Sequence, residues 1–263
     1  MSALAFNNSR VQQLRRLIGR RSSRYGDGLF VVEGPLLVAE AIAAGWTGVE
    51  QYVAADDPDA ALPGAGEIVE LGAGVLQRVG STESPQAPIA VFEMRVFDAA
   101  AVLTAADFVV VVDRVSDPGN LGTIIRSAEA AGADAVVLTP GSVDPYGPKV
   151  VRSSAGALFH VPVLVAELGD VAAAGLCLLG TTSHDAPGRT VSAHTVTDLT
   201  GRIAIVMGNE AAGLPADWTD ERGPIRCWVS IPHRGRAESL NVAMATTVLV
   251  FEAARQRAAA EAR

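Results

Sequence analysis

From residue 108 to the C-terminus, short runs of consecutive apolar residues alternate with segments of helical periodicity. The apolar runs predict strands, which cover residues 108–113, 135–139, 161–165, 177–181, 203–208 and 225–231. The periodic segments predict helices, which lie near residues 121–131, 148–157, 167–174 and 239–256. Because strands that are apolar along their whole length are buried on both faces, the pattern predicts an α/β fold with a mainly parallel sheet. Ligands of such sheets bind beyond the carboxyl ends of the strands.

The N-terminal part of the chain predicts a second, smaller α/β domain. Residues 1–26 have the periodicity of a helix, and strands and helices alternate after them up to residue 96. The apolar stripe of this first helix consists of Val11, Leu14, Leu17 and Ile18. The tract at residues 98–107 is rich in alanine rather than in Gly and Ser, which predicts a semi-rigid linker. We therefore expect domains at residues 1–97 and 108–263, joined by that linker.

Composition limits the classes of protein that need consideration. Hydrophobic residues make up 49% of the 263 residues, but no apolar run approaches the roughly 18 residues of a membrane span. The N-terminus lacks the charged-then-apolar order of a secretory signal, so we expect a cytoplasmic protein. Cys177 and Cys227 lie in apolar, strand-like runs without metal-ligand or redox spacing, and we expect buried thiols. The four histidines form no pair with the spacing of zinc ligands, so no metal site is expected.

Charge is distributed unevenly along the chain. The net charge is −8, yet residues 1–26, which we call the arginine arm, contain six arginines and no acidic residue. A basic segment on an acidic protein is typical of proteins that bind RNA phosphates at one end; a solvated, arginine-rich helix face is the alternative. The candidate RNA-binding residues of the arm are Arg10, Arg15, Arg16, Arg20 and Arg21. Arg152, in the predicted helix 148–157, is a further candidate with the same alternative.

Two loops that follow predicted strands contain unusual sets of glycines and polar residues. In the first loop, a Pro-Gly turn precedes Asn120, the expected N-cap of a helix that carries Arg126. In the second loop, Gly208 and Gly213 bracket Glu210 directly after a strand. Asn120 could be only a helix cap and Glu210 only a brace of its loop, since both residue types favour such places.

A third loop precedes the last predicted helix. Ser239 is the expected N-cap, which places Asn241 in the first turn beside free backbone N–H groups. Polar side chains at such a helix start can hold a ligand, although an ordinary capped core helix is the alternative. The residues expected to face the core are Leu240, Ala243, Met244, Thr247, Val248 and Phe251.

The three loops together resemble the signature motifs of the SpoU/TrmH family, the RNA ribose 2′-O-methyltransferases of the SPOUT superfamily. The matching segments are N-L-G-T-I-I-R, G-N-E-A-A-G and I-P-H-R-G-R-A-E-S-L-N-V-A. The likeness covers about 150 residues, from Phe108 to Arg255. The N-terminal part is similar, less closely, to the ribosomal-protein-type substrate-binding domain of many members. His233 departs from the family pattern, because members commonly have Met at this position.

The resemblance implies a cofactor, a topology and residue roles. It implies S-adenosylmethionine as methyl donor, a deep trefoil knot in the C-terminal third, and a homodimer that completes each active site. The implied cofactor contacts are Thr181, Gly208, Ile231 and Leu240. The implied catalytic residues are Asn120, Arg126, Glu210, Ser239 and Asn241, with Arg126 at the reacting hydroxyl and Glu210 as a brace of the loops.

The implied reaction depends more on how the protein positions the two reacting groups than on a strong acid or base among its side chains. A ribose 2′-hydroxyl is a poor nucleophile at neutral pH, whereas a sulfonium methyl is already activated, so the protein must align the two and remove one proton. A guanidinium, with a pKa above about 12, is an implausible base. We therefore expect Arg126 to bind the adjacent phosphate and steer the oxygen, while the proton leaves through phosphate or water.

The expected substrate is structured RNA, with ribosomal RNA preferred over transfer RNA because of the additional N-terminal domain. Two alternatives remain open at this point. One is a non-catalytic RNA-binding or ribosome-assembly protein with the same fold, and the other is methylation of a base.

Overall fold

The structure is a computed structural model that describes residues 3–183, 190–209, 212–220, 223–225, 227–236 and 238–262. Its contacts divide the chain into two compact units. The first unit contains Met1–Val96 together with Asp144–His160, and the second contains Phe97–Val143 together with Val161–Arg263. Each unit has its own buried apolar cluster.

The first unit contains a four-stranded mixed sheet with helices beside it. Up to residue 96 its elements are α1 (Ser9–Gly19), α2 (Arg21–Asp27), β1 (Leu29–Glu33), α3 (Pro35–Ala43), β2 (Gly48–Ala54), β3 (Glu67–Leu71), α4 (Val75–Val79) and β4 (Ile89–Glu93). The strand order is β1-β4-β2-β3, in which β4 is antiparallel to both neighbours and β2 is parallel to β3.

The arginine arm is part of the core of the first unit. The predicted stripe is confirmed for Val11, Leu14 and Leu17, which are buried against the sheet, while Ile18 packs at the edge of the same cluster. The single predicted helix is wrong, because the backbone at Arg20 is extended (φ −131°, ψ 119°) and separates α1 from α2. The arm is therefore a folded pair of helices, and its apolar side chains fix which arginines can point outward.

The second unit is built on a seven-stranded sheet. From residue 97 onward the chain forms α5 (Ala99–Ala105), β5 (Phe108–Val112), α6 (Pro118–Ala130), β6 (Ala135–Leu138), α7 (Pro148–Ser153), β7 (Val163–Val165), α8 (Leu168–Ala173), β8 (Cys177–Thr181), β9 (Val191–Ala193), β10 (Ile203–Met207), α9 (Ala216–Thr219), β11 (Cys227–Ser230) and α10 (Val242–Glu261). Of these, α7 alone lies within the first unit. The strand order is β7-β6-β5-β10-β8-β11-β9, and every pairing is parallel.

The predicted parallel sheet is confirmed, and its physical basis is visible in the central strands. Every residue of β5 and β10 is buried, as continuous apolar runs require. Helix α6 covers the sheet with Leu121, Ile124 and Ile125. Strand β9 was not predicted, because its three half-buried residues, Val-Ser-Ala, form no apolar run.

Residues 98–107, expected to be a linker, include helix α5 and belong to the second unit. Asp98 caps this helix, since its carboxylate accepts a hydrogen bond from the Ala101 N–H at 3.1 Å. Leu103 is buried in the same apolar cluster as the central strands. An alanine-rich tract can therefore pack as a short helix, because one buried leucine is enough to anchor it.

The segment Asp144–His160 packs with the first unit, although the sequence pattern assigned it to the second domain. Its anchors are aromatic. The ring of Tyr146 lies 4.9 Å from that of Phe30, and the Trp46 indole N–H donates to the carbonyl of Phe159 at 3.0 Å. Asp144 forms an ion pair with Arg24 at 2.5 Å. The predicted helix 148–157 is shortened to α7, followed by a 3₁₀ turn at Ala157–Phe159.

Two predictions about burial in the second unit are wrong. Cys177 and Cys227 are both exposed, at the amino ends of the neighbouring strands β8 and β11. On α10, the buried residues are Val242, Ala243, Thr246, Leu249, Val250 and Ala253. Four residues expected in the core are instead exposed: Leu240, Met244, Val248 and Phe251. Within the described residues, no helix is long and apolar enough to cross a membrane.

Candidate active site

A cavity of about 580 Å³ lies in the second unit, beyond the carboxyl ends of β8, β10 and β11. This is where open parallel sheets bind ligands, and the volume is in the usual range for small-molecule sites. The four residues predicted to contact the cofactor all line it: Thr181, Gly208, Ile231 and Leu240. Ser239 and Asn241 line the same cavity. Residues of the second and third sequence motifs therefore meet at this cavity.

The loop after β10 forms one wall of the cavity by folding tightly back on itself. The N–H of Asn209 donates to the carbonyl of Gly213 at 3.1 Å, and the N–H of Gly213 donates back to Asn209 at 2.9 Å. A side chain at Gly208 would place its Cβ 2.7 Å from the carbonyl carbon of Gly213 and 2.8 Å from the nitrogen of Leu214. Gly213 itself has a left-handed backbone, φ 66°. Glu210, predicted as a brace, lies outside the described residues.

A hydrogen bond connects this loop to the loop after β5. The Asn209 side-chain N–H donates to the carbonyl of Arg114 at 2.8 Å. Arg114 has the left-handed φ of 44°, and its guanidinium donates to the carboxylate of Asp113 at 2.8 Å, which raises the pKa of Arg114. Buried Asp113 also accepts from the Thr139 hydroxyl at 2.8 Å. These contacts hold a strained turn at the edge of the site.

Sequence reasoning did not identify Asp113, Arg114 or Asn209 as site residues. The sequence did contain a marker for Asp113, because a charged residue directly after five consecutive apolar positions lies at the end of a buried strand. Arg114 gave no signal, because a left-handed backbone at a non-glycine residue has no reliable sequence marker.

The predicted helix caps are wrong at both helices beside the cavity. Asp117, not Asn120, caps α6, and its side chain accepts from the Asn120 N–H at 2.8 Å. Asn241, not Ser239, caps α10, where its side-chain oxygen accepts from the Ala243 N–H at 2.9 Å. Proline at the first helical position explains the start of α6, because Asp-Pro combines a cap with a fixed φ.

Because Asp117 caps α6, the side chain of Asn120 does not serve as the cap of this helix. Its Oδ1 accepts a hydrogen bond from the Nδ2 of Asn241 at 3.0 Å. The two helices also pack side by side, and the hydroxyls of Ser127 and Thr247 lie 2.7 Å apart. This hydrogen bond thus connects the first and third loops directly, although the two residues are 121 positions apart in the sequence.

Arg126 lies on α6, two turns beyond the start of the helix, and is exposed. At 1.5 Å per residue it is about 9 Å along the helix axis from Asn120. It is not among the described residues that line the cavity. The structure therefore brings together Asn120, Ser239, Asn241 and the predicted cofactor residues, while Arg126 stands outside their cavity, on the solvent side of α6.

His233, the residue that departs from the family pattern, also lines the cavity. Its Nδ1 lies 2.5 Å from the carbonyl oxygen of Ile231. Its Nε2 is buried and has no hydrogen-bond partner in the described part of the chain. Buried polar atoms without a partner are uncommon in folded proteins.

The predicted RNA-binding arginines fall into two groups. Arg15, Arg16, Arg20 and Arg21 are exposed. Arg10 is held by Glu50 at 2.6 Å and by Glu67 at 2.9 Å, so that it would have to break two ion pairs to bind a phosphate.

Two more arginines of the first unit, Arg152 and Arg78, also bear on RNA binding. Arg152 is half-buried and donates to the hydroxyl of Ser81 at 2.5 Å, so its guanidinium already has an internal contact. Arg78 was not considered from the sequence. Together with Arg15 it lies over the ring of Phe6, with guanidinium-to-centroid distances of 3.6 and 4.6 Å respectively.

Comparison with known protein families gives one match in each part of the chain. Residues 107–251 match the model of the SpoU rRNA Methylase family. Residues 8–90 match the model of an MRM3-like substrate binding domain. The first match contains all three loops that carry the sequence motifs, and the second contains most of the arginine arm.

Similar proteins match along nearly the whole chain. The 23S rRNA (uridine(2479)-2′-O)-methyltransferase of Streptomyces viridochromogenes is 35% identical, over 95% of this chain and 91% of its own length. The 23S rRNA (guanosine(2553)-2′-O)-methyltransferase RlmP of Bacillus subtilis is 34% identical, over 93% of this chain and 95% of its own length. The crystal structure of the SpoU methyltransferase AviRb from Streptomyces viridochromogenes, in complex with AdoMet, has a TM-score of 0.83 at 33% identity, covering 96% of this chain and 99% of that one. With two of the three motifs lining one cavity, the first motif joined to them by a hydrogen bond, and relatives alike over nearly the whole chain, the chain belongs to the SpoU rRNA methylase family.

Proposed function

We propose that the protein transfers a methyl group from S-adenosylmethionine to a ribose 2′-hydroxyl of ribosomal RNA. The observation that carries this proposal is the meeting of the second and third loops at one cavity, to which the first loop is joined by the hydrogen bond between Asn120 and Asn241. Relatives that match nearly the whole chain are named as 23S rRNA 2′-O-methyltransferases. A protein that only binds RNA would not need this cavity.

The lining of the cavity supports S-adenosylmethionine as its ligand. Hydroxyl groups of Thr181 and Ser183 lie in the same cavity as the apolar side chains of Ile231 and Leu249, which suits a ligand with a polar and an aromatic part. When bound, the cofactor supplies a methyl group that is already activated for attack.

The chain's own residues then have to position the RNA. In the proposed mechanism, Asn241 and Ser239 hold the target ribose at the start of α10, and Asn120 keeps Asn241 in place through its 3.0 Å hydrogen bond. Arg126 binds the phosphate next to the ribose and steers the 2′-oxygen, and the proton leaves through phosphate or water. Glu210 remains proposed as a brace of its loop.

The first unit is proposed to bind the RNA substrate, as its match to a substrate-binding model suggests. The two rRNA methyltransferase relatives modify different nucleotides, a uridine and a guanosine, so the target is a property of each member rather than of the family. Action on ribosomal RNA would place the protein in the cytoplasm. A trefoil knot in the C-terminal third is also part of the proposal and rests on family likeness.

The test uses ribosomal RNA from a strain that lacks the gene. The RNA is incubated with the protein and S-adenosylmethionine, digested to nucleosides and analysed by mass spectrometry. One additional 2′-O-methylated nucleoside is expected. A methyl group on a base, or methylation of transfer RNA only, would overturn the stated substrate. If neither methylation nor calorimetric binding of the cofactor is found, the protein is a scaffold.

The exposed face of α10 supports the proposal of a homodimer. We call the four residues Leu240, Met244, Val248 and Phe251 the apolar stripe; Met244 is 64% exposed and Phe251 48%. Met244, Val248 and Phe251, spaced by four and three residues, lie on one side of α10, and Leu240 precedes the helix by two residues. A contiguous apolar surface of this kind marks an interface, and a second copy of the chain is the proposed partner.

Charged residues in the apolar stripe are therefore expected to separate the dimer. The double variant Met244→Lys, Phe251→Glu should sediment as a monomer at concentrations where the wild-type protein is a dimer, because burying two unpaired charges is costly. Leu36→Lys, which places a charge at an 86%-exposed apolar residue of the first unit, serves as the control and should leave the dimer intact. A double variant that stays dimeric would exclude the stripe as the interface.

The exposed arginines of the arm are expected to contribute to the salt dependence of RNA binding. Substitution rather than deletion is needed, because α1 supplies core residues. In the variant Arg16→Gln, Arg20→Gln, Arg21→Gln, the slope of log K against log salt concentration should fall by up to about 0.9 for each lost phosphate contact on duplex-like RNA. Arg10→Gln is the matched control, since its ion pairs already occupy it. An unchanged slope in the triple variant would place the arm outside the interface.

A further inference from the structure

We infer that Arg15 and Arg78, which both lie over the ring of Phe6, form one binding site for a phosphate of the RNA backbone. The inference rests on the proposed action on ribosomal RNA and assigns a place where the first unit holds that substrate. The two arginines come from segments that are distant in sequence, one in α1 and the other in α4. Both lie within residues 8–90, which match the model of a substrate binding domain.

Main-chain hydrogen bonds bring the start of the chain beside α4. The N–H of Leu4 donates to the carbonyl of Glu70 at 2.8 Å, and the carbonyl of Leu4 accepts from the N–H of Gly72 at 2.9 Å. Helix α4 begins shortly after Gly72, and Arg78 lies in its last turn. Phe6 packs against the apolar cluster of the first unit. The ring is therefore held in place from both sides before any ligand binds.

Gln12 fixes Arg15 beside the same ring. Its side-chain N–H donates to the carbonyl of Phe6 at 2.6 Å, and its side-chain oxygen accepts from the guanidinium of Arg15 at 3.0 Å. The guanidinium-to-centroid distances are 4.6 Å for Arg15 and 3.6 Å for Arg78, so the two guanidinium carbons are no farther apart than these distances added together. One phosphate can bridge two guanidiniums at such a separation, because each presents several N–H donors in its own plane.

The two positive charges are exposed and close together without a compensating carboxylate. Neither Arg15 nor Arg78 forms an ion pair with another residue in the described part of the chain, whereas Arg10 is held by two glutamates. Like charges at this separation repel each other, and a bound anion removes that repulsion. Because the ring and Gln12 already order the guanidiniums, less conformational entropy is lost when a phosphate binds.

The test compares single and double variants in RNA binding. Arg15→Gln and Arg78→Gln are made singly and together in the full chain, and filter binding of labelled ribosomal RNA from the strain that lacks the gene is measured at several salt concentrations. If the two arginines share one phosphate, the slope of log K against log salt concentration should fall by about 0.9 in the double variant on duplex-like RNA. A fall of about 1.8 would indicate two separate phosphates and would overturn the shared site.

Phe6→Leu tests the ring without removing a charge. Leucine keeps an apolar side chain against the cluster but gives the guanidiniums no aromatic face, so the affinity for RNA should fall about two- to fivefold. Arg10→Gln is the matched control and should leave the slope and the affinity unchanged, since its ion pairs already occupy it. Thermal unfolding of each variant shows whether the fold is retained.

An unchanged slope in the double variant, with RNA still bound by the wild-type protein, would overturn the phosphate site and leave the proposed methylation standing. An unchanged affinity in Phe6→Leu would overturn the role of the ring. If the wild-type protein does not bind the RNA at all, the phosphate site and the proposed substrate are both overturned.

Discussion

Replacing Arg126 by alanine is expected to lower the rate of RNA methylation about 100- to 1000-fold, without weakening the binding of S-adenosylhomocysteine. Arg126 is exposed on α6 and does not belong to the described cavity lining, so its loss leaves the cofactor contacts in place. The rate falls because the guanidinium is proposed to fix the phosphate and the 2′-oxygen, and losses of this size are typical when one positioning or charge-stabilising donor is removed.

Single-turnover kinetics measure the rate of methylation, and calorimetry separately measures the binding of S-adenosylhomocysteine. Arg126→Lys should recover part of the rate, because an ammonium can bind the phosphate but lacks the planar, two-pronged geometry. Arg255→Ala, which also removes an exposed arginine of the second unit, should retain the wild-type rate. Wild-type rates in both Arg126 variants would remove this residue from the mechanism.

Replacing Arg24 by methionine is expected to destabilise the first unit by about 3–5 kcal/mol. Arg24 and Asp144 are 5% and 7% exposed, and the guanidinium donates to Asp144 at 2.5 Å and to the carbonyl of Leu17 at 2.6 Å. Methionine would leave the carboxylate of Asp144 buried without its cation. Removal of one partner from such a pair costs more than the pair itself contributes.

Native-state hydrogen exchange at the amides of α1 and β1 measures the stability of this unit by itself. The double variant Arg24→Met, Asp144→Leu should recover a large part of the loss, because two apolar side chains replace the pair. Arg10→Gln, whose ion pairs are partly exposed, should cost about 1 kcal/mol or less. A loss below about 1 kcal/mol in Arg24→Met would contradict the buried-pair interpretation.

Much of the fold could be predicted because the strands of the second unit are buried on both faces. Residues such as those of β5 and β10 form uninterrupted apolar runs, and such short runs between helical segments are characteristic of a sheet covered on both sides. Strand β9 has only three residues, and helix α5 has only seven, nearly all of them apolar, so neither shows a recognisable periodicity of polar and apolar positions. In α10, periodicity correctly indicated a helix, but an apolar stripe has the same spacing whether it faces a core or is left exposed.

The candidate site could be predicted in part, for a similar reason. Glycines and polar residues at strand ends indicated Gly208 and Asn241, and the family resemblance added Ile231; all three line one cavity. The contact between Asn120 and Asn241 could not be predicted by pattern, since it depended on which residue caps each helix. The charge pattern failed where partners are remote in sequence: Arg10 resembled a phosphate ligand, but the structure pairs it with Glu50. Arg24, which was counted only in the charge of the arm, is paired with Asp144.

The first unit is discontinuous in sequence, and this affects the order in which the protein can fold during synthesis. Its core includes the rings of Tyr146 and Phe159, and the buried guanidinium of Arg24 forms its ion pair with the carboxylate of Asp144. A nascent chain that ends near residue 97 has none of these partners, although all four strands of the sheet have been made. Completion of the amino-terminal unit must therefore wait until residues up to 160 have left the ribosome, by which time β5 and β6 of the following unit have also emerged.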